Sequence, residues 1–448
     1  MKILKNILTN IYNMNNYSRT QLSYISNDII KLVNPIKFYN KYFDKNWTNN
    51  EVTIKNFFKD MYNVVVNVMN ELNSIKVNDY LTNTFTFNPT YHVHPFIYQK
   101  YIKNNNITYD DFKMLYYKHK ILIDYNYNQY FKDYPTDVIQ LFNLFEKGKF
   151  NDLDIKLYVE NNINKCSYYN FTHLNLYYFY TDTPDIELVK ECYVVTKWLH
   201  NMNPLYKIKL LYFDTPLKKN INYDYDFLSS MHVNSGLTLP GKYIIIWRRE
   251  ELIKVIIHEL IHYLNLDVKH DDKFDNIIKY NFGYIKTPII VNETITEMQA
   301  QILHSVYVSI VLCKGCNDND KSYEYFKTIY NYELIYSWYQ YAKILSFYKI
   351  DEYNLNNLIM KFNQSSNVYS YYVLKVILSL KFSNIIFALD HFNKNNNKQC
   401  NINRCDILVK RIKNMFNKSH SKYNNILNKL IHLNNNDTSL RMTIFGSY

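Results

Sequence analysis

The stretch VIIHELIHYLNLD, residues 255–267, is apolar wherever a helix would bury a side chain, yet it carries two histidines and a glutamate. A helix read over 248–266 puts His258 and His262 on one face, one turn apart. Both imidazoles then reach a single ion. Glu259, offset around the helix by about 100°, reaches a water on that ion rather than the ion itself. This is the HExxH arrangement of two zinc ligands and a general base. The alternative is a helix whose histidines hydrogen-bond within a core. Val255, Ile256, Ile257, Leu260, Ile261 and Leu264 weigh against it, because burying Glu259 and two imidazoles without an ion or partners is costly.

A catalytic zinc takes three protein ligands and keeps one position open. The continuation that would add a third histidine is absent, since Asn265 and Val268 occupy its glycine and histidine positions. Asp267, at or beyond the expected helix end, is a secondary candidate. VNETITEMQA (291–300) offers a better one. It opens a second apolar helix, Val291 to about Leu312, with Glu293 and Glu297 one turn apart. Glu293 fits as the third ligand. Glu297 fits as the carboxylate that grips a ligand histidine by its other ring nitrogen. An exposed acidic face is the alternative, but Ile295, Met298, Ala300, Ile302 and Leu303 leave little polar surface for one.

Taken together, HELIH (258–262) and NETITE (292–297) resemble the gluzincin metallopeptidases, in which HExxH is followed by a helix bearing NExxx(D/E). The interval between the motifs is longer than in thermolysin-like members, so residues 265–290 do not map. HVNSGLTL, YIIIWRREELIKVIIHELIHYLNLD and NETITEMQA together resemble uncharacterised metallopeptidase-like proteins of large double-stranded DNA viruses, over roughly 70 of 448 residues. The resemblance implies a viral protein with a zincin-like catalytic core, one catalytic Zn2+ on His258, His262 and Glu293, Glu297 in support, and a peptide or protein substrate. Glu259 would then be the catalytic base. Strand 242–247 would offer an edge for an extended peptide. The oxyanion donor is open among His232, His270, Tyr280, Tyr284 and Arg248. A reading of another class is a non-catalytic, zinc-stabilised virion or scaffold protein.

Around this centre the sequence reads as an α+β protein in three parts. Residues 1–174 are mainly helical, with helix spacing at 61–75 and 137–150. The core, 175–312, adds a helix at 186–202, an alternating strand carrying Ile208, Leu210 and Tyr212, a strand or extended turn at 231–239, and a strand at 242–247. Residues 313–448 are helical, ending in a Lys/Asn-rich, solvated stretch at 393–439. Half of the six glycines, Gly236, Gly241 and Gly283, fall near the active helix.

The abundance of Tyr (47) and Phe (26), like that of Asn, Lys and Ile, reflects AT-rich codons. The net charge of +12 is carried mostly by scattered lysine, and no nucleic-acid-reading motif accompanies it. No specific nucleic-acid recognition is expected. The amino terminus lacks the apolar core of a signal peptide. The longest apolar run, 371–389, contains Lys375 and Lys381 and reads as a core helix rather than a membrane span. A cytoplasmic setting follows (host cytoplasm or virion if viral), with reduced thiols. Cys313, Cys316, Cys400 and Cys405 could hold a second, structural zinc or be unrelated thiols. His92 and His94 read as surface histidines. His304 lies about 16 Å along the helix from Glu293, too far to share an ion.

Overall fold

The computed structural model describes residues 21–22, 51–86, 153–223, 225–267, 289–313, 318–350, 361–379, 430 and 437–446. The helix expected at 137–150, His92, His94, His270, Tyr280, Tyr284, Gly283, Cys316, Cys400 and Cys405 lie outside them.

Period-2 burial builds a six-stranded mixed sheet. In chain order its strands are β2 (Leu81–Thr86), β3 (Lys165–Asn170), β4 (Leu174–Tyr180), β5 (Ile208–Phe213), β6 (Gly236–Leu239) and β7 (Tyr243–Ile246). They lie side by side as β2-β3-β4-β5-β7-β6. β2, β3 and β4 form an antiparallel meander. β4, β5 and β7 are parallel, and β6 returns antiparallel along β7 as the last strand. A separate two-residue pair joins β1 (Gln21–Leu22) to β8 (Phe445–Gly446).

Both sheet faces are apolar because the central strands alternate between two cores. Leu176 and Tyr178 of β4, Leu210 and Tyr212 of β5, and Ile244 and Ile246 of β7 face the larger core. Tyr177, Phe179, Leu211, Phe213 and Ile245 face a smaller one, closed by Ile155 and Val159 of α2 (Leu153–Asn162). The alternation expected at Ile208, Leu210 and Tyr212 is thus the large-core face of β5.

Helices cover the larger face. They are α1 (Glu51–Asn73), α3 (Ile186–His200), the one-turn α4 (Ser230–Val233), α5 (Leu252–Tyr263), α6 (Val291–Leu312), α7 (Asn319–Phe347) and α8 (Lys375–Ser379). A π-helical turn, Tyr369–Leu374, leads into α8. The larger core runs from Ile54 to Phe445. Asp185 caps α3 by accepting from the Leu188 amide. Asp318 caps α7 through the Asp320 and Lys321 amides.

The active helix begins later than the sequence suggests, at Leu252 rather than 248. Arg248 is drawn into the backbone carbonyls of Lys218, Met231 and Asn234. Arg249 forms a bidentate pair with Asp214. Glu251 then turns the chain with φ 59°, a left-handed conformation that costs a non-glycine residue about 1 kcal/mol or more. Its buried carboxylate offsets that cost by accepting from Lys219 Nζ (2.8 Å) and the amides of Met442 and Thr443 (2.6 Å). The end of the Lys/Asn-rich stretch is likewise not a solvated surface where it is described. Leu430 is buried, and Asp437 accepts from Lys343 and from the Tyr339 hydroxyl.

Trp198, fully buried on α3, is among the largest side chains in the core. Its replacement by alanine should lower the unfolding free energy by about 3–5 kcal/mol, measured by urea titration with the m-value unchanged.

Candidate metal centre

Three helical segments assemble the site, each through residues one turn apart. α5 contributes Lys254, His258 and His262, α6 contributes Glu293 and Glu297, and the Tyr369–Ser379 stretch contributes Tyr371 and Lys375. The four-residue spacing stacks these side chains in two layers.

In the outer layer, Nε2 of His258 lies 3.4 Å and Nε2 of His262 3.5 Å from the same Glu293 oxygen, Oε2. One potential ligand atom from each of the three residues lies within 4.8 Å of the others. Tyr371 donates to that same Oε2 at 3.2 Å, and its ring meets His258 edge-on at 6.0 Å. The inner layer is closed. Glu297 Oε2 lies 3.1 Å from His258 Nδ1, while its Oε1 takes both Lys254 Nζ and Lys375 Nζ, the latter at 3.2 Å. Exposure falls from 18% at the Glu293 side chain to 1% at Glu297, so the site opens at the Glu293 end.

The structure brings His258, His262 and Glu293 together and sets Glu297 behind His258. Asp267, a secondary ligand candidate in the sequence, sits elsewhere. Its Oδ2 lies 3.0 Å from His262 Nδ1, behind the ring rather than beside Nε2. Each imidazole therefore has a carboxylate on Nδ1 and presents Nε2 to the common centre. This arrangement fixes tautomer and ring orientation at metal-binding histidines. The atoms present thus fit a zinc ion: two imidazole nitrogens and one carboxylate oxygen around a single point.

Electrostatics point the same way. Four carboxylates (Glu259, Glu293, Glu297 and Asp267) meet two lysines here, leaving two negative charges unmatched. The carboxylates favour the charged forms of both imidazoles. Burial opposes charge on His258, but Glu293 and Glu297 outweigh it and raise its pKa. Burial likewise opposes charge on His262, yet Asp267 and Glu293 lift it to about 10. Burial alone would raise Glu297, but Lys254, Lys375 and His258 hold it well below the usual range. A divalent cation at this point would balance the two unmatched charges.

Glu259 is 8% exposed and leans on β6. Thr238 Oγ1 donates to its Oε2 at 2.7 Å and also lies 3.0 Å from its backbone carbonyl. Gly236 leaves room for the side chain, since a Cβ there would fall 2.9 Å from Glu259 Cγ.

Two expectations around the site are corrected. Strand β7, within 242–247, has no free edge because β5 and β6 flank it; the edge belongs to β6. Arg248 is committed to three backbone carbonyls and is not an oxyanion donor. His232 stays open as a donor, since its Nδ1 accepts from the Ser229 amide while its buried Nε2 has no hydrogen-bond partner among the described residues. His304 is buried against Thr443, outside the three-residue cluster. Cys313 ends α6 in the core. Tyr371, which the sequence reading did not single out, stands at the centre instead. Its one signal was the Tyr371/Lys375 spacing, which matches that of Glu293 and Glu297.

Zinc added to metal-free protein should bind at about one ion per chain and release protons near neutral pH, that of the His262 imidazole among them. Indicator dye in weak buffer reads the release, which should vanish above pH about 10, where His262 has already lost its proton. His262→Ala and Glu293→Gln should each abolish tight binding. Uptake without proton release would contradict this account of the charge.

No family model matches the chain. It is similar to an uncharacterised protein of Acanthamoeba polyphaga mimivirus, 31% identical over 124 residues. The match covers 27% of this chain and spans 31% of the relative's length. No solved structure matches. Among the described residues, no helix is long and apolar enough to cross a membrane.

Proposed function

We propose that the chain is a zinc-dependent metallopeptidase with a zincin-like core, and that α5, α6 and β6 form its catalytic cleft. One observation carries this reading: His258 and His262 aim Nε2 at Glu293 while each Nδ1 is backed by a carboxylate. The similarity to a mimivirus protein accords with a viral setting.

Zinc, when bound by His258, His262 and Glu293, supplies Lewis acidity that polarises a carbonyl and acidifies water. The protein supplies the rest. Glu259 accepts the proton of the attacking water and passes it to the leaving amide nitrogen. Tyr371 remains a donor at neutral pH, because burial and then Glu293 push its pKa well above the usual phenol range. Its hydroxyl, which donates to Glu293 Oε2 in the resting site, would redirect that proton to the carbonyl oxygen as charge develops there. Among the described residues no strand pairs with the outer edge of β6, where an extended substrate would add.

Glu259→Gln should keep zinc and fold but lose peptide cleavage by at least about 100-fold, the usual scale for removing a general base. Tyr371→Phe should lower kcat by about 10²–10³ with little change in KM. Both are read on a mixed peptide library by mass spectrometry. Equal cleavage by Glu259→Gln and wild type would sink the mechanism. If zinc binds but wild type cleaves nothing, and zinc removal only lowers Tm, the scaffold reading replaces the hydrolase.

A further inference from the structure

Glu259 belongs to α5, but what fixes its side chain lies on another element. β6 sends Gly236 and Thr238 to the same face, since alternate strand residues share a face. Both meet Glu259. Gly236 provides the space that Glu259 Cγ, Cδ and Oε1 occupy, and Thr238 provides the hydrogen bond to Oε2 at 2.7 Å. Among the described residues, no other side chain hydrogen-bonds that carboxylate. By contrast, Glu293 and Glu297 are each held by more than one side chain. The opposite face of β6 turns outward at Leu237, and its far edge carries no strand.

We propose that Thr238 is the positioning residue for Glu259, and that β6 therefore sets both the orientation of the base and the register of an extended peptide paired to its edge. The proposal rests on the hydrolase reading. A glutamate on a helix has three rotatable bonds, and only a narrow set of rotamers puts an oxygen where an attacking water would stand. A hydroxyl donor at one oxygen removes most of that freedom and leaves the other oxygen to act. It does so from the strand whose backbone would hold the substrate, so base and scissile bond are located against one rigid reference.

Thr238→Val keeps the shape and branching of the side chain but removes the donor. It should lower kcat about tenfold or more while KM and zinc stoichiometry stay at wild-type values, and Thr238→Ser should restore most of the loss. Gly236→Ala, whose methyl displaces Glu259, should show the same split. A second readout does not depend on turnover. In metal-free protein, the Tm deficits of Thr238→Val and Glu259→Met, which lacks the acceptor, should be non-additive, the double variant losing less than the two singles together. Additive Tm deficits, or wild-type kcat in Thr238→Val, would overturn the proposal. A wild type that cleaves no peptide would refute the hydrolase reading itself, while the Tm cycle would still decide whether Thr238 holds Glu259.

Discussion

The structure turns on how α5 and α6 bury charge against each other. Both helices are apolar nearly all round, and each carries ionisable residues in register one turn apart. Packed together, they confront two histidines with two glutamates in a region that excludes most water. There an uncompensated carboxylate costs several kcal/mol. The ionisable side chains of that interface are consequently paired, and the pairings leave little choice of geometry. The helix-to-helix contact and the geometry of the candidate ligands are one constraint seen twice.

The inner layer shows how the chain accommodates this. Glu297 could not be buried behind His258 on its own. Lys254, one turn before His258, and Lys375, from the segment after the π-helical turn, both bind its Oε1 and leave Oε2 for the imidazole. Two buried lysines would themselves be unfavourable without that carboxylate. Burial already pushes the Lys375 pKa down. The trio is thus mutually dependent, and it docks the segment carrying Tyr371 onto α6 at the right height to meet Glu293. Changing any one of the three strands the other two in a dry environment.

Much of this was legible in the sequence wherever a fixed period governs geometry. His258/His262 and Glu293/Glu297 each obey helical spacing, and their apolar neighbours required the polar groups to have partners. The strand alternation at Ile208, Leu210 and Tyr212 followed for the same reason. What escaped depends on contacts distant in sequence. Nothing local tells whether Asp267 will bind metal or the back of an imidazole; that is decided by a turn after Tyr263. Tyr371 follows from a π-helical turn, whose wider winding a 3.6-residue pattern does not anticipate. The edge strand was misjudged because β7 is more apolar than β6, and hydrophobicity marks burial rather than position in the sheet order. Arg248 reads as a free cation beside the HExxH helix until the carbonyls of Lys218, of Met231 in α4 and of Asn234 surround it.

Glu251, the residue that turns the chain into α5, is held by segments far removed from it. Its carboxylate binds Lys219 on one side and the amides of Met442 and Thr443 on the other, and the latter lie about 190 residues downstream. Leu440 and Thr438 also pair with Lys219 and Ile221 through the backbone. The first turn of the active helix is therefore closed by contacts of very large sequence separation, whose loop entropy must be overcome before they stabilise anything. In kinetic terms this makes the entrance to α5 a late event in folding. Helical structure along 252–263 forms early from local interactions, but the strained residue ahead of it gains its anchor only when the distant segment arrives. A chain that has not reached that point has the metal ligands in its sequence without the rigid frame that aims them, so competence at the centre appears with the completed fold rather than with the helix.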